Sequence, residues 1–235
     1  MKQARGALAL VGGGEWTLPC RPLDTRLLEL AGTDEVLVVP TAAAFEHPDR
    51  VVEQASEWFR ELGAKVTGLR VLNRRDAEEH ANVAAVKAAR FVYLADGSPL
   101  HLRSVLKGSA LYDAIVHIYE AGAVIAASGA GATVLSDPMV DPRGGAYTVG
   151  LGLASGLAVF PYHGTAADHL RERSIELLPQ DAVLVGVDEQ TALVRERGDE
   201  WEVVGAGAIT VYRRGEQPQR IDAGAPIELP TVTTR

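Results

Sequence analysis

The sequence predicts an α/β protein in which one mostly parallel central sheet is covered by helices on both faces, a three-layer α/β/α sandwich. Short apolar runs rich in β-branched residues alternate along the chain with longer segments whose apolar residues recur at helical spacing. Strands that are apolar throughout are typical of a parallel sheet buried on both faces. The 235 residues, 47% of them hydrophobic, are enough to bury a large core.

Six segments are predicted as strands of this sheet: residues 7–11, 35–39, 65–69, 91–94, 123–127 and 182–187. Between them, residues 49–62 and 109–121 carry apolar residues at helical spacing, which predicts amphipathic helices packed on the core. Gly63 and Gly122 follow these two segments and are typical helix stops, while Ser109 is a predicted N-cap.

After Ser136 the sequence changes to turns rich in glycine and proline between short strands. Residues 201–204 and 208–213 are predicted to extend the sheet in antiparallel fashion. We find no long linker, internal repeat or low-complexity tract, so residues 1–235 are predicted to form a single domain. Three prolines in residues 214–235 predict a partly extended tail that lies on the surface.

The net charge and the composition indicate which binding partners and which compartment to expect. The net charge is −8 and no basic run occurs, so nucleic acid and anionic membranes are poor partners. The single cysteine, Cys20, allows no internal disulfide and favours a reducing compartment. Because the early apolar run at 7–11 is too short for a signal peptide and no stretch approaches a membrane span, we expect a cytoplasmic protein. No metal-ligand spacing and no cofactor motif is found.

Three glycines at 12–14 directly follow the first predicted strand. Glycines there allow a sharp turn and let backbone N–H groups approach a ligand or an oxyanion. Glu15, Trp16 and Thr17 follow where a dinucleotide fingerprint needs a further glycine, so no dinucleotide cofactor is implied. A plain tight turn is an equally good interpretation.

A second segment has the layout of a nucleophile elbow. The apolar strand at 123–127 runs into a cluster of tiny residues at 128–132 and then into a predicted helix. An elbow needs a strained turn that exposes one side chain at the carboxyl end of the sheet, with small neighbours that avoid collision. The spacing of small residues allows either Ser128 or Gly129 at the apex.

This segment resembles the elbow of the serine peptidases that include cyanophycinase and dipeptidase E (α-aspartyl dipeptidase). Their fold is of the class I glutamine amidotransferase-like, flavodoxin-like type. The family elbow reads approximately Ile-Ala-Gly-Thr-Ser-Ala-Gly-Ala, and an ungapped match covers residues 125–132. The resemblance therefore puts the family's nucleophilic serine on Gly129 and its preceding threonine on Ser128.

Three further segments are similar to the same family, and together they span about residues 8–212. Residues 10–15 resemble its first strand and glycine turn, residues 93–102 its Gly-Gly-Asp/Asn-Gln motif, and residues 186–193 its Gly-Ile-Asp-Glu-x-Thr-Ala-Leu segment. The last of these is the most specific match.

The segments that would face a substrate depart from the family. Residues 96–99 replace the first glycine, the acid or amide and the glutamine of the second motif, so Gly97 is left as the expected oxyanion or substrate contact. His163 falls on the family's catalytic histidine, but Pro161 and Tyr162 stand before it. The arginines expected soon after that histidine are absent.

Two functional hypotheses follow. One is an active serine hydrolase that cleaves peptide or isopeptide bonds next to acidic residues, with Ser128 as nucleophile, His163 as base and Glu189 or Asp188 as the orienting acid. A structural histidine and a turn-capping acid are equally good interpretations of the last two positions.

The other hypothesis is a degenerate, catalytically inactive member, because Gly129 has no side chain that could attack. Such a protein would keep its cleft for a small peptide, another small molecule or a partner, and the sequence leaves a homodimer open. Ligand contacts are expected at Gly13, Gly14, Asp96, Gly97 and Ser98. The resemblance at 125–132 favours this second hypothesis. Gly13, Gly97, Gly129 and His163 are expected to converge at the carboxyl edge of the sheet.

Overall fold

The fold is described from a computed structural model, for residues 5–196 and 200–229. The strands are β1 Leu8–Val11, β2 Glu35–Val39, β3 Lys65–Gly68, β4 Phe91–Leu94, β5 Val124–Ser128, β6 Ser136–Asp137, β7 Met139–Val140, β8 Tyr147–Thr148, β9 Ala154–Ser155, β10 Leu157–Phe160, β11 Val183–Val187, β12 Thr191–Arg195, β13 Trp201–Gly205, β14 Ala208–Tyr212, β15 Gln219–Asp222 and β16 Pro226–Ile227. The helices are α1 Arg21–Ala31, α2 Pro48–Glu61, α3 His80–Ala88, α4 Pro99–Leu106, α5 Ala110–Glu120, α6 Ala130–Leu135 and α7 Asp168–Glu176. Short 3₁₀ turns lie at Leu18–Cys20, Thr41–Ala43 and Asp76–Glu78.

Local sequence sets the ends of the predicted helices. The hydroxyl oxygen of Ser109 accepts the N–H of Tyr112 at 3.1 Å, which confirms Ser109 as the N-cap of α5. Gly63 follows α2 with a φ of +81°, a conformation that glycine adopts without strain. Helix α2 begins one residue before the predicted segment, at Pro48, where a missing N–H costs nothing.

The larger sheet, as far as the described residues show it, has the order β16-β13-β12-β1-β5-β4-β2-β3. The five strands from β1 to β3 in this order run parallel, as predicted. Since Val11 pairs with Ser128 and Leu94 with Ala127, β1, β5 and β4 end side by side. The residues that follow these three strands therefore meet at one edge, where open α/β sheets bind ligands.

Helices cover both faces of this sheet, which confirms the three-layer arrangement. Along β5, Ile125 and Ala127 pack in one buried cluster with residues of α5, and Val124 and Ala126 pack in another with residues of α1 and α2. Successive residues of a strand point to opposite faces, so a strand between two layers has to be apolar throughout.

The prediction of one sheet was wrong for two segments. The strand predicted at 182–187 is β11, and the one at 208–213 is β14; both lie in a second sheet, ordered β15-β14-β11-β10-β6-β9 among the described residues. β11 pairs in parallel with β10 and antiparallel with β14. A buried apolar strand has the same sequence pattern in either sheet, so the pattern could not assign it.

The antiparallel extension itself was predicted correctly at 201–204. These residues lie in β13, which pairs antiparallel with β12 next to β1. The predicted tail pairs at two sheet edges: Gln219–Asp222 with β14 and Pro226–Ile227 with β13. Residues 230–235 of that tail lie outside the described residues. No helix in the described ranges is long and apolar enough to cross a membrane.

A buried carboxyl group lies between α1 and α2. Asp24 is 0% exposed and accepts the indole N–H of Trp58 at 2.8 Å through Oδ2. Its Oδ1 has no hydrogen-bond partner among the described residues. Burial raises the pKa of Asp24 from 3.8 to about 7, because the ionised form loses its hydration.

We expect Asp24→Asn to stabilise the protein above pH 7. The raised pKa means that the folded state binds a proton more tightly than the unfolded state, so Asp24 lowers the free energy of unfolding progressively as pH rises from about 4 to about 7. The neutral amide removes this loss, and the gain at pH 8 should be on the order of 1 kcal/mol or more. Urea unfolding across this pH range measures it.

The matched control is Asp181→Asn, which removes a carboxylate from an exposed loop position. Its effect on unfolding should be within about 0.5 kcal/mol at every pH. A gain for Asp24→Asn that does not shrink towards pH 4 would contradict the explanation by burial.

Candidate functional site

A sharp strand-to-helix turn lies at the carboxyl edge of the larger sheet. Gly129 connects β5 to α6 with φ +47° and ψ −104°, and its N–H donates to the carbonyl of Val11 at 3.0 Å. The positive φ confirms that residue 129, rather than Ser128, adopts the torsions that penalise a Cβ. A Cβ built on Gly129 would lie 2.1 Å from Oδ1 of Asp96, so this space is already filled.

The carboxylate of Asp96 is the group that fills it. Oδ1 accepts two backbone N–H groups, from Gly97 at 2.7 Å and from Ala130 at 2.6 Å. Oδ2 accepts the phenolic O–H of Tyr162. Two N–H groups that converge on one oxygen form an anion-binding arrangement of the kind that stabilises an oxyanion. In this protein the bound anion is the protein's own side chain.

Tyr162 is held in place by the glycine turn after β1. Its N–H donates to the carbonyl of Gly12 at 2.7 Å, and its φ is +54°, which is uncommon outside glycine. Gly13 has a φ of +104°, and a Cβ there would lie 2.3 Å from the phenol ring. Gly13 therefore leaves the room that the Tyr162 ring needs. Burial, together with the Asp96 carboxylate, raises the pKa of Tyr162, so the phenol stays protonated and donates.

Ser128 makes its hydrogen bond below the turn, with Glu15. Its hydroxyl is fully buried and donates to Oε2 of Glu15 at 2.7 Å. Oε1 of Glu15 accepts the backbone N–H of Asp96 at 3.2 Å. Burial raises the pKa of Glu15, an effect that the Ser128 hydrogen bond opposes and the charge of Asp96 reinforces. Glu15 thus links the Ser128 hydroxyl to the Asp96 backbone.

His163 follows Tyr162 in the chain, but its ring faces the second sheet. Nε2 lies 2.7 Å from the hydroxyl of Tyr212, and Nδ1 lies 3.5 Å from Oδ1 of Asp188. Burial lowers the pKa of His163, and the charge of Asp188 opposes that shift. The neutral ring can then accept from Tyr212 at Nε2 and direct its Nδ1 proton towards Asp188.

The remaining predicted site residues have local partners. Glu189 accepts the hydroxyl of Thr165 at 2.9 Å, the carbonyl of Gly14 accepts the hydroxyl of Thr17 at 3.0 Å, and Ser98 caps α4. Within the described ranges, no hydrogen bond joins any two of Ser128, His163 and Glu189. Gly13, Gly97 and Gly129 are brought together around Asp96 and Tyr162.

Two residues that the sequence did not single out as site residues are central here. In the sequence, Glu15 stands out only as the end of the glycine turn at 12–14, and Tyr162 only as a departure before His163. Their partners lie 113 and 66 positions away along the chain, at Ser128 and Asp96. The signal in the sequence was weak for both: Glu15 follows β1 only after three glycines, and Tyr162 follows β10, a strand of the second sheet, after Pro161.

A cavity of about 460 Å³ opens beside Asp96. It lies between the turn at Gly129, the loop that joins β7 to β8, and the segment that leads from β10 into α7. Its lining residues are Asp96, Gly97, Pro99, Ala130, Thr133, Val140, Asp141, Pro142, Gly145, Phe160, Pro161, Tyr162, Thr165, Ala166, Ala167 and Leu170. The size is within the range of small-molecule sites. In the part of the chain that the structure describes, no group of three or more His, Cys, Asp or Glu could hold a metal ion.

Residues 8–203 match the family model of peptidase family S51. The chain belongs to this family. A cyanophycinase of Synechococcus elongatus is 26% identical to this S51 member over 220 residues, covering 88% of this chain and 68% of the relative. A cyanophycinase of Geminocystis herdmanii is 26% identical over 227 residues, covering 90% and 82%.

Two solved structures have folds similar to that of this chain. The crystal structure of a peptidase from an acI-B1 actinobacterium is 30% identical and superposes with a TM-score of 0.87, covering 97% of this chain and 99% of the other. A peptidase E-like protein of Listeria monocytogenes EGD-e, 19% identical, superposes with a TM-score of 0.67, covering 87% and 100%. The second likeness shows a shared fold.

We expect Gly129→Ala to destabilise this S51 member by about 2 kcal/mol or more, because the new Cβ meets both an unfavourable φ and the Asp96 carboxylate. Gly63→Ala is a matched control, since Gly63 has a φ of +81° and nothing within 4 Å of a built Cβ. It should report the torsional cost alone, about 1 kcal/mol. Urea unfolding measures both.

A double-mutant cycle separates the collision from the torsion. Asp96→Gly removes the carboxylate, so Gly129→Ala should cost less on the Asp96→Gly background than on the parent. If Gly129→Ala lowers the free energy of unfolding equally on both backgrounds, the carboxylate does not fill the space above Gly129. The same conclusion would follow if Gly63→Ala and Gly129→Ala lowered it equally.

Proposed function

We propose that this S51 family member does not hydrolyse peptides and that it binds a small ligand in the cavity beside Asp96. The ungapped match over residues 125–132 puts the family's serine on Gly129, and the torsions at Gly129 support the same position. Glycine has no side-chain atom that can attack a carbonyl. An elbow that lacks its nucleophile can still form a cleft for a ligand, but it cannot form a covalent intermediate with a substrate.

The observation that carries the proposal is the position of the Asp96 carboxylate. Acyl transfer needs N–H donors free to bind the oxygen that becomes negative in the transition state. Here the N–H groups of Gly97 and Ala130 both bind Oδ1 of Asp96. A substrate carbonyl would have to displace a charge-assisted pair of hydrogen bonds that is already formed.

The competing hypothesis is a serine hydrolase that uses Ser128 and His163 and cleaves next to acidic residues. Such an enzyme needs an accessible hydroxyl within hydrogen-bond reach of its base. The Ser128 hydroxyl is buried and donates to Glu15, whereas Nε2 of His163 binds Tyr212. These contacts favour the binding function over hydrolysis.

The net charge and the single cysteine support a class of partner and a cellular compartment for the proposed function. A net charge of −8 supports a small molecule, rather than nucleic acid, as the partner. Cys20, a buried free thiol, supports the reducing cytoplasm as the compartment.

We expect little or no labelling of the protein by a fluorophosphonate probe and negligible cleavage of α-aspartyl dipeptides or of a cyanophycin-like polymer. Substrate positioning alone can leave a residual rate roughly 10³-fold above water, so the rate is compared with that of His163→Ala. The two rates should agree. An active serine peptidase labelled in parallel shows that the probe is competent.

Labelling of the unmodified protein that is lost in Ser128→Ala but kept in Cys20→Ala would overturn the proposal. It would identify Ser128 as a working nucleophile. Labelling lost only in Cys20→Ala would be a thiol reaction at a buried side chain and would leave Ser128 excluded as the nucleophile.

A further inference from the structure

We propose that the ligand of the cavity beside Asp96 is a compact apolar molecule with one amine, and that the cavity rejects carboxylates. The inference rests on the proposed function, since it names the ligand class of the same site. It is carried by two features of the lining: apolar walls, and negative charge at Asp96 that no Lys, Arg or His of the described lining offsets.

The walls are apolar and converge from three parts of the fold. Phe160 at the end of β10 and Val140 in β7 are 6% and 4% exposed, and Leu170 of α7 packs against them in one buried cluster. Three prolines and three alanines supply further apolar lining. A ligand that fills such a cavity is held mainly by the apolar surface that it buries.

The charged residues of the lining are both acids, Asp96 and Asp141, and no Lys, Arg or His belongs to the described lining. Asp141 is neutralised by Arg143, whose guanidinium binds both carboxylate oxygens and lowers the pKa of Asp141. Asp96 differs, since its hydrogen bonds in the described residues come from two N–H groups and one phenol, all uncharged.

Glu15 adds to the negative potential behind Asp96. Its carboxyl group accepts the backbone N–H of Asp96 and the hydroxyl of Ser128, two hydrogen bonds that favour the ionised form, whereas burial first and the charge of Asp96 second raise the pKa of Glu15. An ionised ligand would therefore meet acids at one end of the cavity without a balancing cation. A carboxylate is repelled there and an ammonium is attracted.

The Asp96 carboxylate also has room for one more donor. An ionised carboxylate offers about four lone-pair sites, and the three donors described here leave one. That site is on Oδ2, which accepts from Tyr162 alone in the described ranges. A primary ammonium carries three donors on a compact charge and can take this position without displacing the N–H groups from Oδ1.

The test is isothermal titration calorimetry with three probes of matched shape, phenylbutylamine, phenylbutanol and phenylbutyrate, at neutral pH and low salt. The amine should bind at least about tenfold more tightly than the carboxylate, with the alcohol between them. Low salt keeps the electrostatic contrast measurable, and added salt should reduce it.

Two variants assign the effect to this cavity. Asp96→Asn keeps the shape and an acceptor oxygen but removes the charge, so affinity for the amine should fall about tenfold towards that of the alcohol. Asp181→Asn makes the same change in net charge at an exposed loop position outside the lining, and should leave all three affinities within about twofold. Ala166→Trp, which fills the cavity from its lining, should abolish binding of all three probes.

The results of these experiments test the ligand class separately from the proposed function. A carboxylate that binds as tightly as the amine, or an amine affinity unchanged by Asp96→Asn, overturns the ligand class while leaving a binding cavity. Failure of all three probes to bind, or binding that survives Ala166→Trp, overturns the cavity as the binding site. Fluorophosphonate labelling that is lost in Ser128→Ala and kept in Cys20→Ala overturns the absence of hydrolysis independently of either result.

Discussion

The carboxylate of Asp96, bound by the N–H groups of Gly97 and Ala130, is the interaction on which the rest of the site depends. It joins the ends of β4 and β5 at the edge where the parallel strands stop. An anion-binding turn that lies empty must be hydrated, whereas this one is satisfied from within by a charge-assisted pair of hydrogen bonds. In the proposed function, this side chain fills the place that an acyl-transfer site keeps for an oxyanion.

The position of the Asp96 carboxylate limits the residue type or the backbone torsions of each of its neighbours. Residue 129 has to be glycine because any Cβ would meet the carboxylate, and Tyr162 accepts a positive φ because its phenol completes the hydrogen bonds of Oδ2. Gly13 in turn makes room for the phenol ring. Strain at Tyr162 is thus offset by a hydrogen bond to a charged group, which is the stronger kind. The glycine turn after β1 thus accommodates Tyr162, a side chain of the protein itself.

Local patterns predicted the parts of the structure that local physics decides. Apolar runs predicted the five parallel strands and Ser109 predicted a helix start. The small residues at 128–132 left the apex open between Ser128 and Gly129, and the resemblance over residues 125–132 assigned the strained torsions to Gly129. The pairing of β11 and β14 in a second sheet was missed, because burial on both faces has one sequence pattern whichever sheet provides it. The links from Glu15 to Ser128 and from Tyr162 to Asp96 join residues far apart in the chain, and no spacing rule contains them.

The negative charge at this site is the opposite of what the peptidase chemistry expected of this fold requires. In the proposed function, the Asp96 carboxylate takes the position that a hydrolase keeps for the oxygen of its substrate, and a second acid, Glu15, accepts the backbone N–H of Asp96. An acidic substrate brings a further negative charge to that place, whereas a cation brings the charge that the place lacks. In the proposed function, a single side chain at position 96, held by two backbone N–H groups, converts an anion-binding site into a cation-binding one. The same proposal makes the framework that positions a reacting carbonyl in a peptidase the support for a negative charge in the lining of an apolar cavity.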